Sequence, residues 1–177
     1  MRNLRIVAIF TLLVSFAIAQ EAMREAAPAP NLLSTLQSDR SLAMFVTAAQ
    51  SSGMAKMLRE EGPLTVFALS NRAFANLPKE DRETLLTDRA TMHLLLSHYI
   101  ARGIIPAGDT AELSSARTLV GVKLRTDIRS EGNYVNGAKL GENDIRCANG
   151  VIHVLDSLDP GLVHEAVAMA KNRHKEN

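Results

Sequence analysis

The sequence predicts a domain of the α+β class, with helices mostly in the N-terminal half and strands mostly in the C-terminal half. Apolar residues recur at helical spacing between about residues 32 and 96. From about residue 122 they alternate with polar residues, which is the period of a strand. Helices and strands therefore come in blocks instead of alternating as βαβ units.

The first nineteen residues have the three parts of a signal peptide. Arg2 and Arg5 precede an apolar run over 6–18, and Ala17-Ile18-Ala19 provides the small residues of a cleavage site before Gln20. The run is shorter than the ~20 residues of a membrane-spanning helix. We therefore expect an exported protein, either secreted or held in the periplasm or cell envelope.

A flexible spacer, one domain and a C-terminal tail follow in the predicted organisation. Residues 20–30 are rich in Ala, Pro and charge, 31–160 form the domain, and 161–177 form a helix with a polar tail. Loss of the two signal-peptide arginines changes the formal charge from +1 to −1. That charge provides no basic field for nucleic acid, and no later apolar run is long enough to span a membrane.

The first half contains mostly helical segments. Helical patterns cover 32–36, 42–49, 54–58, 71–75, a segment that Pro78 opens and a segment that Asp88 caps. Gly53 ends the second of them, and Asn71 is the predicted cap of the short helix at 71–75. Residues 65–69 are the one β-like run in this half.

The second half predicts strands at 99–105, 122–129, 134–135 and 151–155. Hairpin turns are expected at 131–133, at Asn136-Gly137 and at Gly141-Glu142. The single cysteine, Cys147, is expected to be buried as a small hydrophobe, with a redox thiol or an intermolecular disulfide as the alternative. A helix over 161–170 closes the domain.

Three segments carry a family resemblance. They read TVFALSNRAF at 65–74, LLLSHYI at 94–100, and VNGA at 135–138 continuing to NGVIHVLD at 149–156. Their order and spacing resemble the fasciclin domain, whose blocks commonly read T-V-F-A-P-T-N-x-A-F, L-L-x-Y-H-V and N-G-x-I-H-x-I-D. The matching residues are Thr65, Val66, Phe67, Ala68, Asn71, Phe74, His98, Asn136, Gly137, Asn149, Gly150, Ile152, His153 and Asp156.

The resemblance implies a wedge of about seven strands packed with helices, and adhesion or binding in place of catalysis. The matching residues are expected to be mostly structural because their apolar members belong in a core. Leu69-Ser70 replaces the usual Pro-Thr, and Ser97 replaces the Tyr that usually precedes His98. The integrin recognition linked to Tyr-His segments of animal members is therefore not carried over to this chain.

His98 and His153 lie in apolar segments and are the candidates for a metal pair or an acid–base couple. No acidic residue accompanies them at the spacing of a metal motif, so we expect structural imidazoles that hydrogen-bond inside the fold. Asn71 is interpreted as a helix cap and Asn149-Gly150 as a turn, with no ligand assigned to either. The sequence therefore predicts no catalytic residue, cofactor or metal.

The leading hypothesis for function is an exported, non-enzymatic module that binds a protein or cell-surface partner, and it is compatible with a monomer. A second hypothesis is a carrier of a small apolar ligand, motivated by the methionines of the helical half, which are Met44, Met54, Met57 and Met92. A hydrolase or metal enzyme is the third, and no catalytic constellation supports it.

Overall fold

The computed structural model describes residues 29–130, 132–140 and 144–175. The predicted signal peptide lies outside the described residues, as do most of the predicted spacer and the predicted reversal at Gly141-Glu142. Within the described part, eight α-helices and seven strands form an α+β fold, as predicted. No helix there is both long enough and apolar enough to cross a membrane.

Most of the helices precede most of the strands. The helices are α1 (Leu32–Ser38), α2 (Ala43–Ser51), α3 (Ala55–Glu60), α4 (Asn71–Ala75), α5 (Lys79–Thr87), α6 (Arg89–Ser97), α7 (Thr110–Ser115) and α8 (Pro160–Lys175). The strands are β1 (Leu64–Leu69), β2 (Ile100–Arg102), β3 (Thr126–Arg129), β4 (Gly132–Val135), β5 (Ala138–Lys139), β6 (Ile145–Cys147) and β7 (Gly150–Leu155). A short 3-10 turn at Arg40–Leu42 leads into α2.

The larger sheet has the strand order β2-β1-β7-β6. Its two central strands, β1 and β7, run parallel over six residue pairs, from Leu64 opposite Gly150 to Leu69 opposite Leu155. All six residues of β1 are buried, because neighbouring strands cover its edges and other elements cover both its faces. This double coverage explains why both central strands have nearly continuous apolar sequences.

The smaller sheet has the order β3-β4-β5, with both pairs antiparallel. Asn136 and Gly137 join β4 to β5, and both have positive φ, 52° and 80°. Two consecutive residues of this conformation make the type I′ turn that matches the twist of a hairpin, and Asn-Gly is its preferred sequence. The predicted reversal at this position is therefore confirmed.

The helices bury their apolar sides against the larger sheet and one another. Fully buried aromatic side chains from four segments anchor this core, namely Phe45, Phe67, Phe74 and Tyr99. The C-terminal helix α8 packs against α5 and α6, which joins the end of the chain to its helical half. Asp88 caps α6 by accepting a hydrogen bond from the Thr91 N–H, as predicted.

Two predicted strands are shorter than expected. The run 99–105 is a strand only at Ile100–Arg102, because Gly103 (φ 91°) turns the chain away from the sheet. The run 122–129 is a strand only at Thr126–Arg129. Before it, Arg117 and Lys123 oppose each other in a small irregular hairpin.

Three further differences concern the helices. The predicted cap of α4 was wrong, since Ser70 is the N-cap and Asn71 is the first helical residue. The closing helix begins at Pro160 and continues to Lys175, five residues beyond the predicted end at Ala170. Helix α7 has no counterpart in the prediction, because its six residues are too few to show a clear apolar period.

Candidate functional site: the His98 pocket

Most of the apolar motif residues lie in the core and are not available to a partner. Val66, Phe67 and Ala68 of β1 and Ile152 of β7 are 0% exposed, and Phe74 of α4 is 1% exposed. These side chains fill the space between the parallel strands and the helices. They therefore contribute to the packing of the core.

Two polar motif residues, Thr65 and His153, fasten the loop that follows β2. The Thr65 hydroxyl donates to the Gly103 carbonyl (2.8 Å) and accepts from the Ile105 N–H (2.9 Å). The ring Nε2 of His153 lies 2.7 Å from the Ile105 carbonyl. Because a carbonyl only accepts, Nε2 carries the proton of the neutral ring.

The other ring nitrogen of His153, Nδ1, lies 3.5 Å from a carboxylate oxygen of Asp144. The imidazole is completely buried, and this burial lowers the pKa of His153, although Ile105 and Asp144 act in the opposite direction. His153 is therefore a neutral, structural imidazole at pH 7.

Asn149 connects three elements through its side chain. Its Oδ1 accepts from the Leu32 N–H at the start of α1 (2.8 Å). Its Nδ2 donates to the carbonyls of Leu58 (3.1 Å) and Glu61 (2.6 Å) at the end of α3. The predicted turn at this position is confirmed, and the amide adds a connection that the sequence did not reveal.

The next residue, Gly150, leaves no room for a side chain beside β1 and α1. A Cβ placed on it would lie 2.1 Å from the Leu64 carbonyl oxygen and 2.9 Å from Leu32 Cδ1. Only glycine fits at this point of the parallel pair.

The Asn71 side chain joins α4 to the entry of α2. Its Oδ1 accepts from the Met44 N–H (2.9 Å) and its Nδ2 donates to the Arg40 carbonyl (2.8 Å). The helix cap is Ser70, whose hydroxyl accepts from the Ala73 N–H and donates to Asp156 (2.7 Å). Asp156 therefore fixes the cap to the end of β7.

Two motif residues, His98 and Asn136, instead line a surface pocket of about 440 Å³. We call it the His98 pocket. His98 ends α6 and is half-buried, and Asn136 is in the β4–β5 turn. The full lining is His98, Thr118, Val122, Lys123, Arg125, Asn136, Asp159, Leu162 and Glu165.

A chain of hydrogen bonds gives the pocket a fixed frame. The Arg125 N–H donates to Asn136 Oδ1 (3.1 Å), and the Asn136 N–H donates to the Arg125 carbonyl (2.7 Å). The Arg125 guanidinium forms an ion pair with Asp159. The Asp159 N–H donates to the buried Tyr99 hydroxyl (2.9 Å), and its carboxylate accepts from the Gly161 N–H at the start of α8.

The pocket combines neutral and charged groups. Burial lowers the pKa of His98, against the opposing effect of the Glu165 and Asp159 carboxylates, so the imidazole is neutral at pH 7. Burial raises the pKa of Tyr99 to about 12, so its hydroxyl stays protonated. The Arg125 side chain remains 74% exposed although it is paired. The arrangement suits polar and ionic contacts with another molecule.

The two candidate histidines are not brought together as a metal pair. His153 contacts the loop after β2, whereas His98 faces the carboxylates of α8 and the residue before it. Among the described residues, no group of three His, Cys, Asp or Glu side chains is placed to hold a metal ion. His153 forms a hydrogen bond to the Ile105 carbonyl, which is the kind of contact that the structural interpretation predicts.

Cys147 is only partly buried and packs against the hydrophobic core. Its thiol donates to the Thr35 hydroxyl (3.2 Å), and burial raises its pKa. A raised pKa disfavours the thiolate, so the group is a poor nucleophile. The predicted burial is correct in direction and overstated in degree.

The charged residues of the pocket were missed in the sequence. Arg125, Asp159 and Glu165 come from three separate segments, and only the fold brings them together. The sequence did contain one signal for the position of Asp159. Asp159-Pro160 is the pattern of an N-cap followed by a first-turn proline, which indicates the start of a helix.

Comparisons with known proteins agree on one family. Residues 40–158 match the family model described as "Fasciclin domain". The chain is 31% identical over 131 residues to transforming growth factor-beta-induced protein ig-h3 from Sus scrofa, which covers 74% of this chain and 19% of that relative. It is also 31% identical over 129 residues to the Synechocystis protein sll1735, which covers 73% of this chain and 96% of that relative.

A solved structure supports the same assignment of the fold. The chain superposes on a FAS1 domain pair from the insect cell adhesion molecule Fasciclin I with a TM-score of 0.66 and 17% sequence identity. The match covers 77% of this chain and 53% of that structure. The chain thus spans about a fifth of the length of ig-h3 and about half of the domain pair.

Proposed function

This chain belongs to the fasciclin domain family, and from that membership we propose that it is an exported, non-enzymatic module that binds a protein or cell-surface partner. The observation that carries the proposal is the family match over 40–158, supported by the likeness to an insect cell adhesion molecule. The signal-peptide pattern of residues 1–19 supports export.

The His98 pocket is the proposed contact site. Its frame is a series of contacts between residues that are distant in the sequence. Asn136 is hydrogen-bonded to Arg125, and Arg125 forms an ion pair with Asp159. Asp159 is in turn hydrogen-bonded to Tyr99. A preorganised frame loses less conformational entropy on binding than a flexible one. The exposed guanidinium of Arg125 and the exposed carboxylate of Glu165 offer both signs of charge to a partner.

Cross-linking with mass spectrometry on intact producing cells tests the proposal. The wild-type protein is expected to capture one or a few specific envelope or extracellular proteins. The variant R125Q/E165Q, which removes one charge of each sign from the pocket, is expected to lose most of these cross-links. The matched control is R59Q/E83Q, which removes the same charges from α3 and α5.

The outcomes separate the parts of this proposal. Absence of any specific partner for the wild type contradicts the binding function. Equal capture by wild type and R125Q/E165Q leaves the function and rejects the pocket. Recovery of the protein only from the cytoplasm, with an intact N-terminus, rejects export.

The observation behind the carrier hypothesis has an ordinary explanation in the fold. Met54 and Met92 are 1% exposed within the core, and Met44 and Met57 pack against it. These methionines fill space between helices, which is their common role. The carrier hypothesis therefore has no support from the methionines that suggested it.

A further inference from the structure

Three exposed basic residues, Arg102, Arg117 and Lys123, form a row across neighbouring extended segments. We call it the basic row. An antiparallel bridge joins Ala101 to Thr118, which places Arg102 beside Arg117 at the next opposed position. A second antiparallel bridge joins Arg117 to Lys123. Lys123 also lies at the edge of the His98 pocket, whereas the two arginines lie outside it.

The three side chains are close together and project to the same side. Opposed residues of an antiparallel pair have their Cα atoms ~4.5–5.5 Å apart and their side chains on one face. The Arg117 guanidinium donates to the Gly121 carbonyl (2.9 Å), which holds it near the turn of the hairpin that joins Arg117 to Lys123. The backbone positions of the three basic residues therefore follow one another across the strands with roughly even spacing.

No carboxylate among the described residues forms an ion pair with the basic row. Arg125, Lys171 and Arg173 have such partners in Asp159, Asp81 and Asp88. Arg146 has none among the described residues, but it lies opposite Val151 and not opposite another basic residue. Like charges at directly opposed positions of a sheet destabilise it. We therefore expect repulsion among the three charges, which an anionic partner would neutralise.

We propose that the basic row binds a linear acidic polysaccharide, with one acidic sugar facing each basic side chain. The inference rests on the proposed function, since an exported binding module meets such polymers outside the cell. A polymer with one negative charge per repeat can place a charge opposite each basic residue of the row. A compact anion is too small to contact all three.

Two other polyanions fit the row less well. Recognition of anionic lipid uses clusters of ~4–8 basic residues, and the row has three. Single-stranded nucleic acid is bound by stacking on aromatic side chains within a basic groove. This chain has 4% aromatic residues and no Trp, and its formal charge changes from +1 to −1 on loss of the two signal-peptide arginines.

The test measures binding of the purified protein to alginate, a linear polymer of acidic sugars, at low and at physiological ionic strength. Binding is expected to weaken as salt rises, because exposed charges are screened. Neutral dextran is the polymer control and is expected not to bind. Phosphatidylglycerol vesicles and a DNA oligonucleotide provide the competing arms.

The variants remove charge without disturbing the Arg117 contact to Gly121. R102Q is expected to weaken alginate binding about threefold and R102Q/K123Q about tenfold, as for one and two exposed ionic contacts. The matched control R59Q/R146Q removes two exposed arginines on α3 and β6 and is expected to bind like the wild type. R102Q is also expected to unfold at the same or a slightly higher temperature, because it relieves like-charge repulsion.

Several results would overturn the proposal. These are no alginate binding by the wild type, equal weakening by the control variant, or stronger binding to vesicles or DNA. Weakening by K123Q without any effect of R102Q would assign the binding to the His98 pocket. A lower unfolding temperature of R102Q would show that Arg102 stabilises the fold. If one of these results overturns the inference while cross-linking still captures a protein partner, the proposed function stands on its own.

Discussion

The β1–β7 pair and the His98 pocket use motif residues in opposite ways. In the strand pair, motif side chains are buried and contact the protein itself, as Thr65 and His153 do when they hold the loop after β2. In the pocket, the motif residue Asn136 is a support that positions Arg125, and the exposed chemistry belongs to residues outside the motifs. The buried motif residues therefore belong to the fold, whereas the exposed charged groups of the proposed contact site lie outside the motifs.

The largest expected loss of stability comes from adding a side chain at Gly150, where β7 lies close to β1. Gly150→Ala places a Cβ 2.1 Å from the Leu64 carbonyl oxygen, so the backbone of the parallel pair must move. We expect the free energy of unfolding to fall by about 3 kcal/mol or more, measured by urea denaturation. Gly108→Ala, where a Cβ meets nothing within 4 Å, is the control. Similar stability of the two variants would contradict the close approach.

A slightly smaller effect is expected beside it. Asn149→Ala removes the acceptor of the Leu32 N–H and the donor to the carbonyls of Leu58 and Glu61. Loss of these contacts is expected to lower the free energy of unfolding by about 2–3 kcal/mol. Asn76→Ala, on an exposed amide at the end of α4, should change stability by less than about 0.5 kcal/mol. If Asn149→Ala matched this control, the three hydrogen bonds would contribute nothing.

Features that depend on neighbouring residues could be predicted from the sequence, whereas long-range contacts could not. The fold class, the hairpin at Asn136-Gly137 and the Asp88 cap follow from local rules, because neighbouring residues decide them. The Asn71 cap failed because Ser70, one residue earlier, satisfies the helix end and leaves the Asn71 amide free to reach α2. Such long-range contacts have no local pattern.

The pocket was beyond local rules for the same reason. Arg125 and Asp159 are separated by 34 residues in the sequence and meet only because α8 returns beside the β4–β5 turn. The sequence identified His98 and Asn136 through the family resemblance. It did not show that their neighbours include both an exposed guanidinium and an exposed carboxylate.

The buried His153 imidazole is expected to make the free energy of unfolding depend on pH. Burial lowers the pKa of His153 in the folded protein below its ordinary value of 6.5. Between the lowered pKa and 6.5, the unfolded chain therefore binds more protons than the folded protein does. The free energy of unfolding should therefore fall as the pH falls below about 6.5. His153→Leu is expected to be less stable at pH 7 by about 1–2 kcal/mol, through the lost bond to Ile105, and to show a weaker pH dependence.

Urea denaturation between pH 5 and pH 7 measures both effects. His164→Gln, on the exposed side of α8, is the control and should be nearly as stable as the wild type at pH 7. An unchanged pH dependence in His153→Leu would mean that other groups, His98 among them, account for all of it.

The smallest expected effect on stability, and the most specific to the pocket, comes from Glu165→Gln. The Glu165 carboxylate favours the charged form of His98 and so opposes the lowering of its pKa by burial. Removing that charge should lower the pKa of His98 further, as followed by NMR titration of the imidazole, while the free energy of unfolding changes by less than about 0.5 kcal/mol. Glu83→Gln on α5 should leave the His98 titration unchanged. A rise in the pKa of His98 in Glu165→Gln would contradict the attraction between the Glu165 carboxylate and the protonated imidazole, and with it the electrostatic account of the pocket.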